Sequence, residues 1–277
     1  MTELKKHFAV IGNPIHHSLS PQIHKAFAKE AGLHIDYEAI LSPLDEFKKT
    51  IHKLILQKLN GANVTLPFKK EAYELASQHS NHARIAEAVN TLEFKNDQII
   101  GHNTDGIGLV RDLEQNLNVN LKSQKILLIG AGGAAEGVIY SILEKNPSAL
   151  TLTNRTIEKS HVIKNKMDVH AKSFDVNLNI IEITKLPHQH FDLIINATSA
   201  GLNNTDLGID HRVFHKESLA YEMMYGKETS FIREAQSQES KTSDGLGMLI
   251  EQAAEAFFIW HHITPKTKSL IESLRAL

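Results

Sequence analysis

The chain has 277 residues, long for one compact domain and comfortable for two. Hydrophobic residues make up 42% and charged residues 22%, ordinary globular usage, so a sizeable core is expected and disorder is not. The 30 Lys plus Arg and 32 Asp plus Glu leave a net charge of −2 without like-charge blocks, which argues against a nucleic-acid or membrane surface, and the lack of cysteine excludes disulfides, thiolate metal sites and a cysteine nucleophile.

The first apolar run, residues 8–11, is shorter than a signal peptide needs and reads as a buried strand; a cytoplasmic location is expected. Ser20-Pro21 then opens a helix, with Ser20 as a good N-cap and proline in the first turn, and Gly32 ends it. Residues 37–41 predict a second strand, 44–59 a second helix and 62–65 a third strand, with Pro67 starting a third helix. Residues 91–94 and 98–100 predict a hairpin around Asn96-Asp97, and 104–117 a connecting helix. A fresh α/β unit starts at Lys125: a strand at 126–129, a Gly-rich turn, an Ala-rich helix to 143, a strand at 150–153 and a helix from Thr156. Further strands are expected at 193–196 and 219–223, and a long helix over 247–260, which is too short in apolar length to span a bilayer.

Gly130-Ala131-Gly132-Gly133-Ala134-Ala135 sits between a strand and a helix, where a dinucleotide-binding turn belongs. Gly130 permits the tight turn, Gly132 lets the backbone approach a pyrophosphate, and small residues at 133–135 allow close packing of helix on strand. The helix end then offers free N–H groups to phosphate. Ala135 stands where the third glycine of the pattern falls, an allowed substitution. An NAD site usually carries an acid at the end of the next strand to hold the ribose; here stand Thr153, Asn154, Arg155 and Thr156, followed by Lys159. A guanidinium clamps a 2′-phosphate and a lysine adds charge, so NADP(H) is the expected cofactor and Arg155 its determinant.

Polar residues follow the strands of the first half. Ser18 and Ser20 lie in a helix-initiating turn suited to a carboxylate, although plain capping explains Ser20 equally well. Lys69 falls in the first turn of a helix, against the helix dipole; acid–base work and an ordinary surface lysine beside Lys70 are evenly matched readings. Asp105 starts the connecting helix, where a carboxylate is favoured as a cap; as a partner of Lys69 it would serve reduction of a ketone.

Together these segments resemble the shikimate dehydrogenase family over the whole chain. The likeness is carried by Asn13-Pro14-Ile15 with Ser18-Leu19-Ser20-Pro21, by Asn63-Val64-Thr65-Leu66-Pro67-Phe68-Lys69, by Ala88-Val89-Asn90-Thr91 and by Asn103-Thr104-Asp105-Gly106. It continues through the glycine turn, Asn154-Arg155-Thr156, Asn196-Ala197-Thr198-Ser199-Ala200-Gly201, Met223-Met224-Tyr225 and Asp244-Gly245-Leu246-Gly247. The resemblance implies two α/β domains: a discontinuous substrate domain with a mixed sheet (1–104 plus 247–277) and a Rossmann-type, parallel-sheet NADP-binding domain (105–246) enclosing a cleft that closes on substrate. It implies carboxylate binding by Ser18 and Ser20, ring-hydroxyl contacts from Thr65, Asn90, Tyr225 and Gln252, and a catalytic pair of Lys69 and Asp105. Gly130, Ala131, Gly132, Gly133, Ala134, Asn154, Arg155, Thr156, Lys159, Met223 and Gly245 would line the cofactor site. The implied reaction is NADPH-dependent reduction of 3-dehydroshikimate to shikimate, within chorismate and aromatic amino-acid biosynthesis, by a monomer or homodimer.

Glu87, Asn81, Glu222 and Ser230 depart from residues usual in that family: a glycine, a frequent acid, an aspartate and a proline. The alternative enzyme is a quinate/shikimate dehydrogenase using NAD. A catalytically silent NADPH-binding protein would be expected to have lost Lys69 or Asp105. The 17 histidines raise a metalloenzyme, but adjacent pairs such as His16-His17 and His261-His262 do not share a helix face, and no metal is expected.

Overall fold

The computed structural model describes residues 5–198 and 207–276. It separates into two compact units, Met1–Gly108 with Leu249–Leu277, and Leu109–Met248. Asp105, placed by the sequence reading at the head of the second domain, therefore belongs to the same unit as Lys69.

The first unit runs β1 (Lys6–Gly12), α1 (Ser20–Glu30), β2 (Ile35–Leu41), α2 (Phe47–Leu56), β3 (Gly61–Val64), α3 (Lys69–Leu75), β4 (Gln78–His79), α4 (Asn81–Ala86), β5 (Thr91–Lys95), β6 (Gln98–His102) and into α5 (Asp105–Arg111). Its six strands are ordered β2-β1-β3-β5-β6-β4. β1 is parallel to β2 and β3, whereas β5 is antiparallel to β3 and β6, so the sheet is mixed. Asn96 and Asp97 turn the β5–β6 hairpin with φ of 51° and 61°, the left-handed conformation that a two-residue turn needs and that these short polar residues tolerate.

Side chains alternate across β1. Ala9 and Ile11 pack with Ile51, Phe68 and Leu92, while Phe8 and Val10 pack with Tyr37 and Trp260. Each such large side chain contributes about 1.5–3 kcal/mol on leaving water.

The chain continues through a π-helical turn, Asp112–Asn116, that widens the end of the connecting helix. The second unit then runs β7 (Lys125–Ile129), α6 (Gly133–Leu143), β8 (Ala149–Thr153), α7 (Ile157–Ser173), β9 (Asn177–Ile180), β10 (Leu193–Asn196), β11 (Leu219–Glu222), α8 (Ser230–Ser237) and β12 (Lys241–Ser243). The strand order is β12-β11-β10-β7-β8-β9, and every neighbouring pair is parallel. β10 is buried along its whole length and β7 along all but its first residue, which is why both read as unbroken apolar runs rather than alternating ones. Chain order reverses between β7 and β10, the switch point at which doubly wound sheets bind dinucleotides outside their carboxyl ends.

α9 (Leu246–His261) returns the chain to the first unit and α10 (Lys268–Arg275) ends it. Trp260 of α9 stacks on Phe8 at 4.7 Å and donates its indole N–H to the Leu92 carbonyl at 3.1 Å, tying the C-terminal helix to the mixed sheet. Among the described residues no helix is long and apolar enough to cross a membrane.

Several local expectations shift. α1 begins at Ser20 itself: Leu19 is the N-cap residue, and the Ser20 amide donates to the Ser18 hydroxyl at 3.3 Å. α2 is shorter than 44–59, and α3 starts two residues beyond Pro67. Glu87, standing in place of glycine, closes α4 in the left-handed region at φ 51°.

Candidate active site

The centre of the first unit's polar edge is an ion pair. Lys69 Nζ lies 2.6 Å from Asp105 Oδ2, with the two side chains 21% and 10% exposed. Three elements converge to make it. Lys69 opens α3 just past the end of β3, its carbonyl holding the Val89 amide at 2.9 Å. Asp105 opens α5 just past β6, its amide donating to Asn103 Oδ1 at 3.1 Å. Asn90, immediately before β5, donates through Nδ2 to Asp105 Oδ1 at 2.9 Å. Both carboxylate oxygens are thus engaged, which fixes the plane of the group and with it the ammonium.

Asn90 is itself over-determined. Its Nδ2 also reaches Thr104 Oγ1 at 2.9 Å and Gln252 Oε1 at 3.3 Å, and its Oδ1 accepts from the Thr104 amide at 2.9 Å and the Thr91 hydroxyl at 3.0 Å. Gln252, from α9, donates to the Leu249 carbonyl at 2.8 Å. Asn63 Nδ2 reaches the Thr91 hydroxyl at 3.0 Å and Tyr37 donates to Asn63 Oδ1 at 2.7 Å. Burial pushes the Tyr37 phenol well above its usual range, and hydrogen bonding with Ser20 partly offsets this. A continuous polar chain therefore runs Ser20–Tyr37–Asn63–Thr91–Asn90–Asp105–Lys69. Ser18 is half-buried in the turn after β1, and Thr65 follows β3 on the same carboxyl edge, its amide held by Ile11 O at 2.9 Å. Asn63, Thr91, Asn103 and Thr104 were not singled out as site residues from sequence, although each lies inside a motif that was. What was missing was a sign of where their amides and hydroxyls point.

In the second unit the glycine turn sits at the switch point. Gly130 has φ +116° and lies so close to the β10 turn that a Cβ would fall 3.2 Å from the Ala197 carbonyl carbon and oxygen. By contrast a Cβ at Gly132 or Gly133 would meet nothing within 4 Å, leaving open space at the start of α6. Gly132 is the N-cap residue with no side-chain cap, so the first amides of the helix are offered outward, with Ala131 and Ala134 adding little bulk. Asn154 bonds the Thr156 carbonyl at 2.9 Å and shapes the turn after β8; Arg155 and Lys159 are exposed, and among the described residues neither side chain has a protein partner. An open cradle of N–H groups with two uncommitted cations beside it fits a phosphorylated dinucleotide. Met223, Met224 and Tyr225 follow β11, and Gly245, held by its amide to Met224 O at 2.9 Å, precedes α9. Ser199, Ala200 and Gly201 lie outside the described residues.

A six-stranded parallel sheet of this order with a glycine turn at its switch point, together with a mixed-sheet unit carrying a Lys–Asp pair on its polar edge, defines a two-domain dinucleotide-dependent oxidoreductase. Comparison with known proteins narrows the class. Models of the "Shikimate dehydrogenase substrate binding domain", the "Shikimate / quinate 5-dehydrogenase" domain and the "Shikimate 5'-dehydrogenase C-terminal domain" match residues 10–92, 112–206 and 245–275. The shikimate dehydrogenase (NADP(+)) of Methylobacillus flagellatus is 46% identical over 270 residues, 97% of this chain and 98% of the relative. Among solved structures, an Ael1 enzyme from Pseudomonas putida is 40% identical with a TM-score of 0.92, covering 98% of both chains. A shikimate 5-dehydrogenase from Thermus thermophilus, solved with NADP(H) and shikimate, is 30% identical with a TM-score of 0.86, covering 98% of this chain and 99% of that one. The chain belongs to the shikimate dehydrogenase family.

Proposed function

We propose that this chain catalyses the reversible NADPH-dependent reduction of 3-dehydroshikimate to shikimate in aromatic amino-acid biosynthesis, acting in the cytoplasm as a monomer or homodimer. The observation that carries the reading is the Lys69–Asp105 contact at 2.6 Å, held by Asn90 and only partly open to water. NADPH supplies the hydride when bound. In this reading the Lys69 ammonium hydrogen-bonds the ketone oxygen and gives it a proton as it becomes a hydroxyl, so that hydride plus proton balance the two-electron reduction. Asp105 orients the ammonium and accepts from the neighbouring ring hydroxyl. Ser18 and Ser20 hold the substrate carboxylate, and Thr65, Asn90, Tyr225 and Gln252 take the remaining ring hydroxyls. The amides at 130–134 cradle the pyrophosphate, Asn154, Arg155, Thr156 and Lys159 take the ribose phosphate, and Met223 and Gly245 flank the nicotinamide.

The test follows NADPH absorbance in both directions with shikimate, quinate and no acid, and with NADP and NAD. Turnover confined to shikimate with NADP supports the reading; faster turnover of quinate with NAD replaces it with the quinate/shikimate alternative, and no turnover of either acid removes it.

A further inference from the structure

Glu222 ends β11 with its side chain fully buried, and it is used by none of the steps above. Its carboxylate accepts three hydrogen bonds: from Asn196 Nδ2 at 2.8 Å, from the Thr229 hydroxyl at 3.0 Å and from the Met224 amide at 3.1 Å. The donors have no freedom to reverse. Asn196 Oδ1 is held by the amide and hydroxyl of Thr198 at 3.0 and 2.8 Å, so the side-chain amide cannot flip without losing both. Thr229 caps α8, its oxygen accepting from the Ile232 amide at 3.3 Å, which directs its own proton to Glu222. The surroundings thus suit an ionised carboxylate. Burial opposes them and pushes the carboxyl above its usual range, and Asp244 adds to that push.

The segments joined here share one position in the fold, the carboxyl edge on the β10–β11 side of the switch point. That half of a doubly wound sheet receives the second nucleotide of a dinucleotide, the one opposite the glycine turn's own strand pair. The turn after β10 forms the wall against Gly130, with the Thr198 methyl 3.2 Å from a Cβ placed there. The turn after β11 holds Gly245 through Met224, and any side chain at Gly245 would collide with the Met223 carbonyl.

We propose that Glu222 is a positioning residue for the cofactor, its carboxylate locking the turns after β10 and β11 into the one arrangement on which the nicotinamide half rests. The inference builds on the cofactor half of the proposed function. Glutamine at this position presents an N–H₂ to donors that cannot turn away, whereas aspartate keeps the charge with a shorter reach.

The test measures NADPH and NADH dissociation constants by fluorescence, and amide exchange of the cofactor-free protein, for wild type, Glu222→Gln, Glu222→Asp and Thr229→Val. Loss of a hydrogen-bonded charge predicts a weakening of about tenfold in Glu222→Gln, equal for the two cofactors because the 2′-phosphate is not involved. Glu222→Asp recovers most of the affinity, and Thr229→Val, which removes one donor to the carboxylate together with the cap of α8, loses about threefold. In Glu222→Gln the Met224 and Gly245 amides exchange faster while those within β10 and α8 keep their rates. As the pH falls into the raised range in which the buried Glu222 carboxyl takes up its proton, the wild-type to Glu222→Gln affinity ratio contracts toward one; the 2′-phosphate titrates alike in both and cancels.

Wild-type affinity in folded Glu222→Gln, a loss confined to NADPH, or exchange accelerated evenly across β10, β11 and α8 would each overturn the assignment. A wild type that binds NADPH but turns over no shikimate defeats the proposed activity and leaves this inference standing.

Discussion

Replacing Lys69 with alanine removes the ammonium while sparing the backbone, since alanine is at home in the first turn of α3 and the Lys69 carbonyl still accepts the Val89 amide. Two costs follow from the geometry. The chemical one is the loss of a positioned proton donor, worth about 10²–10⁴ in rate, or about 3–5 kcal/mol of barrier. The structural one comes from Asp105, left without its partner although only 10% exposed. Breaking a buried pair costs about 3–5 kcal/mol, but Lys69 is 21% exposed and Asn90 still holds the other carboxylate oxygen, so water offsets part of the loss and about 2 kcal/mol is expected. The assay pairs steady-state NADPH oxidation with urea unfolding and with NADPH binding, whose proposed determinants lie in the other unit and are untouched. Asp105→Asn and the double variant complete a cycle. Groups acting as a unit are strongly non-additive, so the double variant falls no further than the slower single one. Turnover of Lys69→Ala within a factor of about three of wild type, or single losses that simply multiply, would refute the catalytic pair.

Arg155→Ala raises the NADPH Michaelis constant about 10–100-fold and spares NADH, as loss of a charge-assisted bond to a 2′-phosphate requires; equal losses for both cofactors count against that role. Gly130→Ala weakens cofactor binding and lowers stability by about 2 kcal/mol, because a φ of +116° strains any L side chain and its Cβ would crowd the Ala197 backbone at 3.2 Å; calorimetry showing wild-type stability contradicts this. His24 lies fully buried against Tyr37, and burial, with His261 nearby, lowers its pKa from 6.5 to about 3. The unfolded chain therefore takes up the proton first, and stability is lost as pH falls below 6.5: about 2 kcal/mol by about pH 5 from His24 alone, at about 1.4 kcal/mol per unit. His24→Phe, which keeps the ring in the stack, flattens that branch of the urea-unfolding profile; an unchanged slope shows that His24 is not its source.

What could be read from the sequence was whatever acts through near neighbours. β7 and β10 are apolar runs because both their faces are covered, and the glycine turn is legible because its conformation needs particular residues at adjacent positions. β4, α4, β9, α8, β12 and α10 passed unread. β12 is three residues, Lys-Thr-Ser, at the sheet edge, too short to show a period, and α10 is a helix of eight residues that buries only Ile271, its amphipathic pattern confined to Leu270, Ile271 and Leu274. Ser20 shows the opposite error: a good capping residue next to proline, it lies one position inside the helix, and its hydroxyl turns toward Tyr37 instead.

The site was legible only as far as its motifs. Lys69 and Asp105, each ambiguous alone, became a pair by family resemblance; their contact spans 36 positions, and the Asn90–Gln252 bond spans 162. Glu222 marks the limit of that kind of reading. In a run of Leu-Ala-Tyr-Glu-Met-Met it looks like an ordinary polar residue of a strand, set apart only by standing where aspartate is usual in the family. Its weight comes from Asn196, 26 positions earlier, whose orientation is decided in turn by the Thr198 amide. A buried carboxylate acquires its role from the donors around it, and those donors are brought together only when the sheet has formed.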